Sequence, residues 1–314
     1  MKKIVVSLLL IVILFVVCFL PFTKQKSIII KAPFYNVYQQ LAKPENWKKW
    51  RNDLQQIQGA YSTKISKKKI GRGFKISYDD LKIDVNPVDG YSFKINEINK
   101  NKTFEYSFTV VPGKQQDETI IILKQRTSTL NYILNKIKGK PFSQTHINDF
   151  KNFMESVSLY YGYDIVKSKV IDTDIIVLRK TILAKNKFKE ALKSISVLKD
   201  YINSNGLKQT QPFIAQFFTK YNDSIQLNIG IPINRKILAK KPIDFMEMPN
   251  TGNIYTIQFH GKFMDRSKVY AAAQQYFNDK HISIPILPFE TYFDNKVPQN
   301  DTDQVNIQIN FPTF

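Results

Sequence analysis

The chain has 314 residues, enough for two ordinary domains, and 43% of them are hydrophobic, so two real cores are affordable. Its formal net charge of +20 comes from lysines spread along the chain, with few arginines and no recognition-helix motif, so no nucleic-acid partner is expected. One cysteine, Cys18, excludes an intramolecular disulfide.

Met1-Lys2-Lys3 precedes Ile4 to Phe22, nineteen residues without a charge. As a helix this run would span about 28 Å, close to a bilayer's hydrocarbon core. Nothing small stands where a leader peptidase would cut, so residues 1–23 are predicted as an uncleaved single-pass anchor. Lys2 and Lys3 favour an inside N-terminus, which puts the bulk of the chain on the extracytoplasmic side and brings membrane lipid within its reach.

Ser27-Ile-Ile-Ile-Lys-Ala-Pro33 reads as a strand entering a helix with Pro at its first turn. Phe34, Val37, Tyr38 and Leu41 recur at helical spacing, and Pro44 breaks that helix before Trp47 and Trp50. From Ile57 to about Gln125 short strands alternate with turn signals such as Asn86-Pro87, Asp89-Gly90 and Pro112-Gly113. A helix is predicted near 148–160, with Ile147, Phe150, Phe153, Met154 and Val157 inward. Strand, small helices, antiparallel sheet and a long helix make a helix-grip arrangement over residues 24–162. Ile30-Lys-Ala-Pro33, the Val37 to Leu41 helix and the Trp47–Trp50 pair resemble the START-like superfamily that includes the polyketide cyclases (SRPBCC). That resemblance implies an apolar cavity between sheet and long helix, suited to lipids. The residues themselves favour Trp47 and Trp50 as core seals.

The stretch 163–314 contains an internal repeat. Asp174–Leu178 is a strand, and Asn186 starts a helix with Phe188, Ala191, Leu192, Ile195, Leu198 and Ile202 inward, ended by Asn205-Gly206. Ile254–Phe259 is the second copy of the strand, followed by Gly261 and a helix over about 267–278 that buries Val269, Tyr270, Ala273, Tyr276 and Phe277. Pro212-Phe213-Ile214 with the alternating run Asp223–Pro232 matches Pro288-Phe289-Glu290 with Asp303–Pro312. The predicted fold is therefore α+β, with two pseudo-symmetric strand–helix–strand–strand halves. In this register Ile214 of one copy stands where Glu290 stands in the other.

Gly252-Asn-Ile-Tyr255, Gly261, Pro288-Phe-Glu-Thr-Tyr292 and the closing Asn306–Pro312 run resemble the GyrI-like effector-binding domain of multidrug-responsive regulators. The resemblance implies an aromatic pocket with the motif Glu, here Glu290, at its base, binding drug-like cations or, in some members, assisting hydrolysis. No helix-turn-helix precedes it here. From the residues, a buried carboxylate without a basic partner is relieved by a cation held against aromatic faces. Glu290 and Tyr292 share a strand face, as do Tyr255 and Phe259, with Phe213 and Tyr270 as further candidates. The expected partner is an amphipathic or cationic small molecule. The alternatives are hydrolysis through Glu290 as general base and lipid binding in the N-terminal cavity. His146, His260 and His281 lack metal-ligand spacing and no cofactor motif appears, so neither a metal nor a cofactor is predicted.

Overall fold

A computed structural model describes residues 18–56, 62–67, 72–100, 102–137, 142–171, 174–221 and 223–313. The chain divides into two compact units, Met1–Ser156 and Val157–Phe314.

In the first unit, β1 (Pro21–Ile30), β2 (Ser62–Lys67), β3 (Arg72–Tyr78), β4 (Leu81–Pro87), β5 (Ser92–Asn99), β6 (Lys102–Pro112) and β7 (Thr119–Ser128) form one antiparallel sheet, ordered β1-β7-β6-β5-β4-β3-β2. The helices are α1 (Phe34–Ala42), α2 (Pro44–Trp50), α3 (Asn52–Gln55), α4 (Thr129–Ile137) and α5 (Phe142–Glu155). Trp47 and Trp50 are almost fully buried, their rings 4.9 Å apart, with Phe74 and Phe150 edge-on to them. They seal the core. The predicted helix near 148–160 ends at Glu155, and Val157 opens a short helix, α6 (Val157–Tyr161), that packs on the core of the second unit.

The predicted anchor is not supported. Among the described residues no helix is long and apolar enough to cross a membrane. Its last residues instead begin β1, where Pro21 and Phe22 pair with Ser128 and Thr127. The proline explains the change of structure, because it disfavours helical backbone at Leu20. Residues 1–17 of the predicted span lie outside the described residues, and the extracytoplasmic placement loses its basis with the anchor.

The second unit holds an eight-stranded antiparallel sheet, ordered β12-β9-β11-β10-β14-β15-β13-β8. Its strands are β8 (Val166–Lys169), β9 (Asp174–Leu183), β10 (Ile214–Thr219), β11 (Ser224–Pro232), β12 (Ile243–Glu247), β13 (Asn253–Lys262), β14 (Phe289–Tyr292) and β15 (Gln304–Thr313). Helices α7 (Lys187–Ser204) and α8 (Arg266–Asp279) each follow a 3₁₀ turn, Ala184–Asn186 and Phe263–Asp265. One half is β9-α7-β10-β11 and the other β13-α8-β14-β15. They meet at β10 and β14, with β12 and β8 as the outer strands. Alternation along the strands assigns Ile176, Leu178, Leu227, Ile229, Ile257 and Ile309 to the core under the helices. On α7 the inward stripe is Phe188, Ala191, Ile195, Leu198 and Ile202, while Leu192 is exposed and Ser194 is buried in its stead, its Oγ donating to the Glu190 carbonyl.

Candidate functional site

Strand β14 is only four residues long and lies between β10 and β15, so its alternation is fixed on both sides. Glu290 and Tyr292 point into the core beneath the helices, while Phe289 belongs to a separate cluster on the other face. Glu290 is 2% exposed and pairs directly with Ala215 across the junction of the halves. The counterpart of Glu290 is therefore Ala215. Ile214 pairs with Thr291 and packs on the opposite face, so the sequence register of the repeat is shifted by one residue at this strand.

The carboxylate does not lack a basic partner. Arg266, the first residue of α8, donates from Nε to Glu290 Oε1 at 2.7 Å and from Nη1 to the Phe263 carbonyl at 3.0 Å. Its guanidinium lies 3.5 Å from the centre of the Phe263 ring and 5.7 Å from that of Phe217. Tyr270, one helical turn further on, donates its hydroxyl to the same oxygen at 2.9 Å, and Tyr292 donates to Oε2 at 2.7 Å. Burial, reinforced by the nearby Glu290 charge, pushes both phenols above their ordinary pKa, so they remain donors at neutral pH. The network is a buried ion pair completed by two hydroxyls, with the arginine the most exposed member of the pair.

Of the other predicted site residues, Phe213 stacks on Tyr292 with ring centres 4.8 Å apart and planes 12° from parallel. Tyr255 and Phe259 are buried on β13, separated from β14 by the whole of β15. Tyr255 meets Phe277 edge-on, and Phe277 touches Phe311, which touches Tyr270. The structure thus gathers Glu290, Tyr292, Tyr270 and Phe213, and leaves Tyr255 and Phe259 as core. Sequence reasoning missed Arg266. Its signal was the four-residue spacing to Tyr270, which puts both on one face of a helix.

The second face of the sheet, away from Glu290, carries two adjoining cavities. The smaller, about 140 Å³, lies over Val177, Ile214, Gly230 and Phe289 with Met246 and Met248 beside it. The larger, about 350 Å³, shares Ile214, Met248 and Phe289 and extends over Thr291, Gln308 and Asn310.

In the first unit the interior is not purely apolar. Arg51 is fully buried and donates to both oxygens of buried Glu97, at 2.9 and 3.0 Å, and to Asp53, while Tyr106 donates to Glu97 at 3.1 Å. Burial opposes the charge on Arg51, but the bonds to Glu97 and Asp53 outweigh it and hold its pKa above the ordinary value. Asp53, Glu97 and His146 bring ligand atoms within 4.8 Å of one another, the spacing a divalent metal needs. The Arg51 guanidinium already bridges both carboxylates there, so the donor set is built around an organic cation.

No protein-family model matches the chain, and no curated protein does. Among solved structures it is similar to the EcmrR C-terminal domain, at 17% identity over 48% of this chain and 98% of that one, with a TM-score of 0.40. EcmrR in a DNA complex matches at 17% identity over 58% of this chain and 68% of that one, also with a TM-score of 0.40. A START superfamily protein from Mycobacterium smegmatis matches at 14% identity over 42% and 97%, with a TM-score of 0.31. Likenesses of this size say nothing of function.

Proposed function

We propose that this chain is a small-molecule-binding protein, and that in its second unit a cationic or amphipathic ligand is recognised at Glu290 by exchanging with the Arg266 guanidinium. The observation that carries this reading is the difference between two paired positions. Ala215 fills its place with a methyl group, whereas Glu290 fills the partner place with a buried charge that needs three donors to satisfy it. The strand pairing seats an alanine at one of these two places, so the pairing itself does not call for a carboxylate at the other. Burying it costs several kcal/mol before its partners are counted. The face of Phe263, with Phe217 nearby, already holds a flat cation, and a ligand cation entering there would meet the same faces and the same carboxylate. Glu290 as a general base has less support, because its oxygens accept from three donors and it is all but shut off from solvent.

The test is calorimetric titration of the full chain with benzyltrimethylammonium and with benzamidinium. Both are expected to bind the native protein, Glu290→Gln is expected to abolish binding, and Arg266→Ala is expected to tighten it by about tenfold by removing the internal competitor. Failure of either cation to bind the native chain, or unchanged binding in Glu290→Gln, would reduce the pair to scaffold.

A further inference from the structure

The second face of the eight-stranded sheet is unusual in having an apolar centre of its own. Val170, Ile175, Val177, Ile214, Ile254 and Phe289 are all buried there and form a cluster distinct from the core under the helices. A sheet face with nothing to bind is ordinarily polar, and burying one needs something packed on it. At its middle a recess opens beside Gly230, which is paired with Ile214 and Val177; lacking a side chain, it lets its neighbours close over the backbone, and a Cβ there would stand 2.9 Å from Ile214 Cγ1 and 3.0 Å from Ile175 Cγ2. The recess is walled by Met246 and Met248 on one side and by Ile286 and Leu287 on the other. Gln216 pins that second wall by donating to the carbonyls of Leu287 and Pro288 at 3.1 and 3.2 Å.

The recess has a size and the larger cavity beside it has a chemistry. A volume of about 140 Å³ is close to the ~150 Å³ apolar cavity that takes up one benzene ring. Methionine thioethers at its wall suit an aromatic edge. The adjoining space is lined by amide and hydroxyl groups: Gln308 donates to Asn310 at 2.7 Å, and Asn310 donates to Thr291 at 3.0 Å. The charged side chains at the rims are tied up already: Arg179 to Asp244, Glu247 to Lys236, and Lys169 to the Asn253 side chain. Among the described residues no carboxylate lines the larger cavity to meet a cation. We propose that this face is a second binding site, independent of Glu290, for an uncharged amphipathic small molecule whose ring-sized apolar end sits over Gly230 and whose hydrogen-bonding end lies along Thr291, Gln308 and Asn310.

The probes are phenol (head alone), phenyl β-D-glucopyranoside (the same head with a neutral polar tail) and benzyltrimethylammonium (a cationic tail), each added to the full chain labelled with ¹³C at the methionine methyls. The chain has five methionines, so each reports separately. The glucoside is expected to shift Met246 and Met248 and not Met264, which stands exposed beyond the recess, and to bind at least about fivefold more tightly than phenol through its added hydrogen bonds. Glu290→Gln is expected to leave that binding unchanged, so this site and the one at Glu290 succeed or fail separately. Gly230→Leu, whose side chain would push those of Ile214 and Ile175 into the recess, is expected to abolish it. Where that variant fails to fold, the methionine shifts of the native chain decide. The proposal is overturned if the glucoside leaves Met246 and Met248 unmoved, if benzyltrimethylammonium moves them with equal affinity, or if Glu290→Gln abolishes the shifts.

Discussion

Glu290 and Arg266 illustrate how a buried ion pair is held by completeness more than by attraction. Desolvation of each ion costs several kcal/mol, and two tyrosine hydroxyls and one carbonyl supply what the pair alone does not. Removing one ion should therefore hurt more than removing both. Arg266→Met is expected to destabilise the second unit by about 3 kcal/mol, Glu290→Leu by a similar amount, and the double variant by less than the sum, near the native value. Urea unfolding of the three variants measures this, and simple additivity would contradict it. His146 offers a second residue-scale prediction. Burial, and then the Arg51 charge, lower its pKa, so the folded state binds fewer protons than the unfolded chain. Stability is then fully present above the unfolded-state pKa of about 6.5 and declines as pH falls below it. The melting temperature should drop between pH 7 and 5, and His146→Gln should flatten that slope; an unchanged slope would refute the assignment.

At the scale of the element, α7 ends where Gly206 takes a φ of +58°, a left-handed conformation that a side chain resists. Gly206→Ala is expected to cost about 1 kcal/mol, read as a shift in the urea midpoint, although no atom stands near the new methyl group. This helix, its stop and the two strand–helix–strand–strand halves were legible in the sequence because helical and strand periods differ and glycine marks the end. Leu192 misled because it flanks the true stripe; position 194, on the stripe, is a serine that hydrogen-bonds its own helix. The shifted register at β10 has another cause. Pro-Phe occurs in both copies, and the match of letters concealed a slip that, in a strand, exchanges one face for the other. Glu290, Tyr292 and Tyr270 could be found because each belongs to a short local pattern. The Arg51–Glu97 contact could not, since it joins residues 46 positions apart across the first unit.

At the scale of the whole molecule, each unit has its own sheet and its own buried core. Residues 157–314 expressed alone are expected to unfold in one cooperative transition, followed by circular dichroism on heating, and to keep the response to Glu290→Gln. A broad, non-cooperative melt would show that this unit depends on the first. The repeat within it has a further consequence. Ala215 and Glu290 face each other where the two halves meet, on the axis that relates them. A dimer of identical half-chains would have to carry the same residue at both of these places: two alanines and no charge, or two carboxylates in contact with no water between them. Only when both copies run in one polypeptide can they diverge at that point. The lone acid at this junction is thus a property that covalent fusion made possible and that identical subunits could not have acquired.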